Sequence, residues 1–138
     1  GFRYCSNTIM TLSSHIRPYL HESKMIDIPI FWEEGTALYN QLGLSIEPYL
    51  GYFTSPGLKV ISFHPINVVF NTPEIAWMRK IKDSMSREEY NQISSESILK
   101  NRNNAIGIYH TIMEIVNLVK QKNYKILSLK EIYNNIVN

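Results

Sequence analysis

Leu58-Lys-Val-Ile-Ser-Phe-His-Pro-Ile-Asn-Val-Val-Phe-Asn-Thr72 is the stretch from which the rest of the chain is read. Val60, Ile61 and Phe63 give it the β-branched and aromatic content of a buried strand. Pro65 has no N–H to offer a ladder, so the strand should end near His64. A titratable ring is thereby delivered at a strand's C-terminal end. In α/β folds that end is where loops gather ligands and reacting groups, whereas the opposite end serves stability. His64 is the first candidate for chemistry, and a capping or core histidine bonded to backbone is the competing reading.

A second apolar run, Ile26-Asp-Ile-Pro-Ile-Phe-Trp32, repeats the arrangement upstream. Pro29 demotes it to an edge or a bulge, and it runs directly into Glu33-Glu34-Gly35. Around these two strands the chain alternates. Phe2–Cys5 closes a short strand, and Ile9, Leu12, Ile16 and Leu20 recur at helical spacing over Thr8–Leu20, with Pro18 weakening the helix. Residues 36–42 read as a short helix stopped by Gly43. Residues 45–57 read as an aromatic loop, with a firm turn at Ser55-Pro56-Gly57.

Beyond the histidine, Thr72 and Pro73 read as N-cap and N1 of a helix reaching about Lys82. Ser86-Arg-Glu-Glu89 has the form of a capping box. Residues 94–104 are polar and read as a mobile loop. Ile108, Ile112, Ile115, Val116 and Val119 make an apolar stripe over three helical turns. A short strand at 125–128 and a helix from Leu129 to Val137 close the order. Such alternation argues for βα units around a parallel sheet or barrel. The fold class expected is α/β.

Composition sets limits on function. At 138 residues and 44% hydrophobic the chain can bury one ordinary core. Lys+Arg of 14 against Asp+Glu of 12 gives +2, with the basic residues scattered, so nucleic-acid binding has no electrostatic footprint. A single cysteine, Cys5, excludes an internal disulfide framework and a cysteine-based zinc cluster. A reducing, cytoplasmic setting is the expectation. No apolar run approaches the roughly 20 residues of a membrane span. His15 and His21 stand six apart on a doubtful helix, which does not bring both rings to one face, and they read as surface residues. His110 lies off the apolar stripe and reads as solvent-facing. The chain opens Gly-Phe-Arg-Tyr, and residues missing upstream are the expectation.

Four segments in order resemble the polysaccharide deacetylases of the NodB-homology type, most closely their WbmS-like branch. They are Gly1-Phe2-Arg3, Ile28-Pro-Ile-Phe-Trp-Glu-Glu34, Phe63-His-Pro-Ile66 with Asn71-Thr72, and Lys122-Asn-Tyr-Lys-Ile-Leu-Ser-Leu-Lys-Glu-Ile132. The resemblance implies part of a deformed (β/α)7 barrel. Residues 1–138 would form a single unit, its C-terminal portion, with the N-terminal half of the barrel as the missing partner. It implies hydrolysis of N-acetyl groups on sugars in bacterial cell-surface polysaccharide or lipopolysaccharide biosynthesis, with a carbohydrate as substrate. A divalent metal, zinc being the expected one, would be held by an aspartate pair and a His-x-x-x-His pattern that this chain lacks, so no metal ligand is assigned within it.

The same resemblance assigns roles. His64, as an imidazolium, would give its proton to the leaving amine, and a neighbouring carboxylate would stabilise that charged form. Successive strand residues face opposite sides, so one of Glu33 and Glu34 should point inward; Glu33 is favoured as the histidine's partner, with Glu34 left to face substrate. Arg3 would orient the catalytic base through a charge-assisted pair. Trp32 would wall the acetyl or sugar face, and Asn71 would bond substrate or cap the next helix. The alternative is a non-catalytic, saccharide-binding relative using Trp32, Tyr49, Tyr52 and Phe53 as its platform.

Overall fold

The computed structural model describes residues 1–137. Among the described residues five strands and eight α-helices follow in chain order: β1 Tyr4–Cys5, β2 Tyr19–Leu20, β3 Ile26–Asp27, β4 Ile30–Glu33, α1 Glu34–Tyr39, α2 Leu50–Thr54, β5 Val60–Ser62, α3 Pro65–Val69, α4 Ile75–Asp83, α5 Arg87–Asn91, α6 Ser95–Asn101, α7 Ile108–Gln121 and α8 Leu129–Val137. A 3₁₀ turn at Glu47–Tyr49 precedes α2. The chain is mixed α/β and divides into two compact units.

The first unit comprises Gly1–Glu33, Pro48–Ser62 and the chain from Leu118 on. It holds both sheets. In one, β3 lies between β1, which it pairs in parallel, and β2, which it pairs antiparallel. In the other, β4 and β5 pair in parallel, with Trp32 opposite Ile61 and Glu33 opposite Ser62. Pro29 splits the long apolar run into β3 and β4, as a residue without an N–H must. The irregular register between Ile30 and Trp32 follows close behind it. Ile16, Ile28, Ile30, Phe31, Trp32 and Phe53 are buried here, and the rings of Phe31 and Phe53 meet edge-on at 5.0 Å.

Residues 8–20 are not a helix. Thr8, Met10 and Leu12 use their backbone to run beside β4, with Thr8 O accepting from Ile30 N and Leu12 N donating to Phe31 O. Leu12 and His15 carry positive φ, which no helix interior permits. Tertiary pairing has overridden an apolar spacing that was helical by coincidence. The Ser-Pro-Gly turn is present, and Gly57 is the residue it needs. Its φ is +113°, and a Cβ there would lie 2.8 Å from the His15 Cα. Residues 125–128 form no strand, and Ile126 remains 80% exposed.

The second unit comprises Glu34–Glu47 and Phe63–Asn117. Ala37, Leu38, Ile46, Phe70, Ile108 and Ile115 are buried in it. The capping box at Ser86 forms as its spacing predicts, Ser86 Oγ accepting from Glu89 N and Glu89 from Ser86 N. Of the polar stretch 94–104 expected as a mobile loop, Ser95–Asn101 instead folds as α6, with Ser94 capping it by accepting from Ser97 N. Helix α4 starts at Ile75 with Glu74 as its N-cap, so Thr72 and Pro73 do not open it.

Thr72 has a different task. Helix α3 stops in a Schellman turn, with Asn71 in the left-handed region at φ 53°, Asn71 N donating to Val68 O and Thr72 N donating to Asn67 O. Asn tolerates that conformation because its short polar side chain bonds locally. Here Asn71 Nδ2 donates to the carbonyls of Asn103 and Ala105, and its Oδ1 accepts from Tyr109 N. The Schellman turn folds the chain back so that Thr72 faces Asn67.

Candidate active site

Because β4 and β5 are parallel and paired at Glu33 and Ser62, the chain leaves both strands at the same end. Glu34 comes one residue after β4 and is the first residue of α1; His64 comes two after β5 and is the N-cap residue of α3. Pro65 occupies the first position of α3, where its missing N–H costs nothing.

Glu34 Oε1 lies 2.7 Å from His64 Nδ1, 2.9 Å from His64 N and 2.9 Å from Asn67 Nδ2. The carboxylate is fully buried, while the imidazole is 63% exposed. Its other oxygen, Oε2, is also buried and meets no hydrogen-bond partner among the described residues. An isolated buried carboxylate is costly, and three donors converging on one oxygen offset that cost.

The geometry also assigns the tautomer. Oε1 already accepts from the His64 backbone N–H and the Asn67 amide, neither of which can reverse direction, so a proton on Oε1 would be crowded out. Nδ1 therefore carries the hydrogen and donates to Glu34. Nε2 is left on the exposed side of the ring as the atom that exchanges protons. A carboxylate–imidazole dyad of this form can take a proton at Nε2, hold it as an imidazolium beside the carboxylate, and release it to a neighbouring group.

Glu34, not Glu33, is thus the carboxylate on His64. The strand alternation that favoured Glu33 does not extend to Glu34, because the chain turns helical at that residue. Glu33 is half-buried at the end of β4, opposite Ser62. Full burial also turns Glu34 away from any substrate-facing position. Trp32 is 4% exposed and belongs to the packed interior. Asn71 is 2% exposed, and its amide is spent on pinning the 103–109 loop. Arg3 is exposed, its carbonyl accepting from Ile26 N. Asn67 was not singled out by sequence. Only Asn71, a residue suited to the left-handed position that ends a helix, gave a local signal for the turn that brings Thr72 to Asn67.

The sequence profile of the WbmS-like polysaccharide deacetylases matches residues 1–82, a stretch that includes both halves of the dyad. The chain belongs to the WbmS-like polysaccharide deacetylase family. The fold of this WbmS-like chain is similar to a crystal structure from Bordetella bronchiseptica, described as a candidate polysaccharide deacetylase involved in O-antigen biosynthesis. The TM-score is 0.66 at 22% identity over 84% of this chain. The match spans 46% of that protein's length. A search of curated proteins finds no match.

The family implies a divalent metal. Among the described residues no three His, Cys, Asp or Glu side chains are placed together to hold one. His15, His21 and His110 are all exposed, and His64 is committed through Nδ1 to Glu34. The described residues of this WbmS-like chain do not fit a metal cradle. Among the described residues no helix is long and apolar enough to cross a membrane.

Proposed function

We propose that this WbmS-like chain supplies the proton-donating part of a carbohydrate N-deacetylase site. The observation that carries the reading is the 2.7 Å bond from His64 Nδ1 to the buried Glu34, with the opposite edge of the ring open. In hydrolysis of an N-acetyl group, water oxygen adds to the acyl carbon and the carbon–nitrogen bond breaks. The departing amine is too basic to leave as an anion and must be protonated as it goes. An imidazolium at His64 donates that proton from Nε2, and Glu34 balances the charge and holds the ring on line. Acetate and the free amino sugar are the products.

The larger frame belongs to the same proposal. Residues 1–138 form the C-terminal portion of a deformed (β/α)7 barrel, completed by an N-terminal half. The parallel β4–β5 pair and the fold likeness over 84% of the chain support that reading. The substrate would be a cell-surface polysaccharide or lipopolysaccharide intermediate handled in the cytoplasm, in keeping with the O-antigen role given for the Bordetella bronchiseptica protein. Arg3, on this reading, orients the base supplied by the completing half. A purely saccharide-binding relative is the weaker reading, because Trp32 and Phe53, half of its aromatic platform, are each only 4% exposed.

The test is acetate release from N-acetylated sugars by the longest natural form of the protein, beside His64→Ala. Loss of about 10²–10⁴-fold in the variant is expected from removal of a general acid. Equal activity in the two, or no activity in the parent, would overturn the proposal.

A further inference from the structure

The Glu34–His64 pair does not hold itself in place. Glu34 Oε1 receives one of its three hydrogen bonds from Asn67 Nδ2 at 2.9 Å, and Asn67 Oδ1 in turn accepts from Thr72 Oγ1 at 3.0 Å. Thr72 is fully buried, and its backbone is tied at both ends, its N–H to Asn67 O and its carbonyl to Ile108 N. A side-chain amide has one accepting and one donating end, and either could face Glu34 if nothing decided between them. Facing oxygen to oxygen, the amide would repel the carboxylate. The Glu34 carboxylate, an acceptor only, takes Nδ2, and the Thr72 hydroxyl holds the amide in that orientation by donating to Oδ1.

We propose that Asn67, clamped by Thr72, is a positioning residue: it fixes the Glu34 carboxylate and thereby keeps His64 in the Nδ1–H form with Nε2 unprotonated in the neutral ring. The relay runs Thr72 hydroxyl, Asn67 amide, Glu34 carboxylate, His64 imidazole. Every hydrogen in it points toward His64's partner, and Thr72 and Glu34 are both fully buried. The Schellman turn makes the clamp possible, since it brings residue 72 back over residue 67. The relay's catalytic importance rests on the deacetylase reading; its effect on the ring does not.

The experiment is nitrogen NMR of the histidine rings in the ¹⁵N-labelled chain, at a pH where His64 is neutral. Thr72→Val keeps the shape and removes the hydroxyl; Thr72→Ser keeps the hydroxyl; Asn67→Leu removes the amide. In the parent chain His64 should show Nδ1 protonated and Nε2 bare. Thr72→Val and Asn67→Leu should shift population toward Nε2–H, the form that water favours for a free ring, and Thr72→Ser should keep the parent pattern. In an active full-length form Thr72→Val should lower kcat by up to ~100-fold with KM little changed.

An unchanged His64 pattern in folded Thr72→Val overturns the proposal. Should Asn67→Leu fail to fold, the Thr72→Val and Thr72→Ser pair still decides. A shifted ring in a chain whose full-length parent shows no deacetylation would overturn the deacetylase reading alone, and the positioning role would stand.

Discussion

His64 Nδ1 and Glu34 Oε1 meet at 2.7 Å although 30 residues separate them in the chain. Among the described residues all three hydrogen bonds made by that carboxylate fall on Oε1, and Oε2 is buried with no partner. The charge of Glu34 is therefore held from one side, by donors on α3 and its cap.

Glu34→Gln tests that one-sided arrangement. The glutamine oxygen can keep the three donors, but its NH₂ then fills the position of Oε2, where no acceptor waits among the described residues. We expect a loss of about 1–3 kcal/mol, the usual cost of an unmet buried donor. Thermal or urea unfolding of parent and variant measures it. An unchanged stability would mean that an acceptor or water reaches this position.

Gly107→Ala should destabilise the chain by steric conflict. A Cβ at Gly107 would stand 2.1 Å from Asn71 O and 2.5 Å from Asn71 Oδ1, and backbone cannot step aside as a flexible side chain can. A cost of about 1–3 kcal/mol is expected for such overpacking. The effect should reach the dyad, because Asn71 ends the turn that sets Thr72 against Asn67. A drop in Tm together with a change in the His64 ring signals is the outcome to look for.

Acid should loosen the starts of α5 and α8 in the same pH range. The Ser86 N–H and hydroxyl hold the Glu89 carboxyl below the ordinary 4.5, and Ser128 does the same for Glu131. A depressed carboxyl contributes stability that is present above its unfolded value and lost as pH falls through the folded one. The Ser86 and Ser128 amide signals should therefore hold steady from neutral pH down to about pH 5 and move below 4.5. In Glu89→Gln the Ser86 signal should lose that movement while Ser128 keeps it.

Cys5 should react slowly with thiol reagents at neutral pH. Burial first, and then the negative charge of Asp27 opposite it in the β1–β3 pair, push the thiol above its ordinary value. The thiolate is the reactive form, so a raised value means less of it at pH 7–8. Asp27→Asn removes the charge and should speed disulfide exchange with an aromatic disulfide reagent. A rate that does not rise in folded Asp27→Asn would assign the effect to burial alone.

Much of this was written locally. Pro65 after an apolar run placed the end of β5 and the histidine, Pro29 placed the break between β3 and β4, and Ser86 with Glu89 placed a helix start, because each rule involves residues within a few positions of one another. The three segments within residues 1–82 that carry the family resemblance were legible for the same reason. Residues 8–20 were not, since their apolar spacing fits a helix and only pairing with β4 makes them extended. The partner of His64 was not legible either. Strand alternation favours Glu33, but Glu34 is where strand becomes helix, and the direction of a side chain at such a junction is set by what it meets. Thr72 looked like the cap of the next helix, and nothing singled out Asn67. The closing of the α3 turn, a relation among backbone groups five residues apart, made them the support of the dyad. Composition and local punctuation thus determined the α/β elements and the candidate histidine. The choice of its carboxylate, the tautomer that follows and the amide behind it were decided only in three dimensions, where donors from residues 64 and 67 converge on one buried oxygen of residue 34.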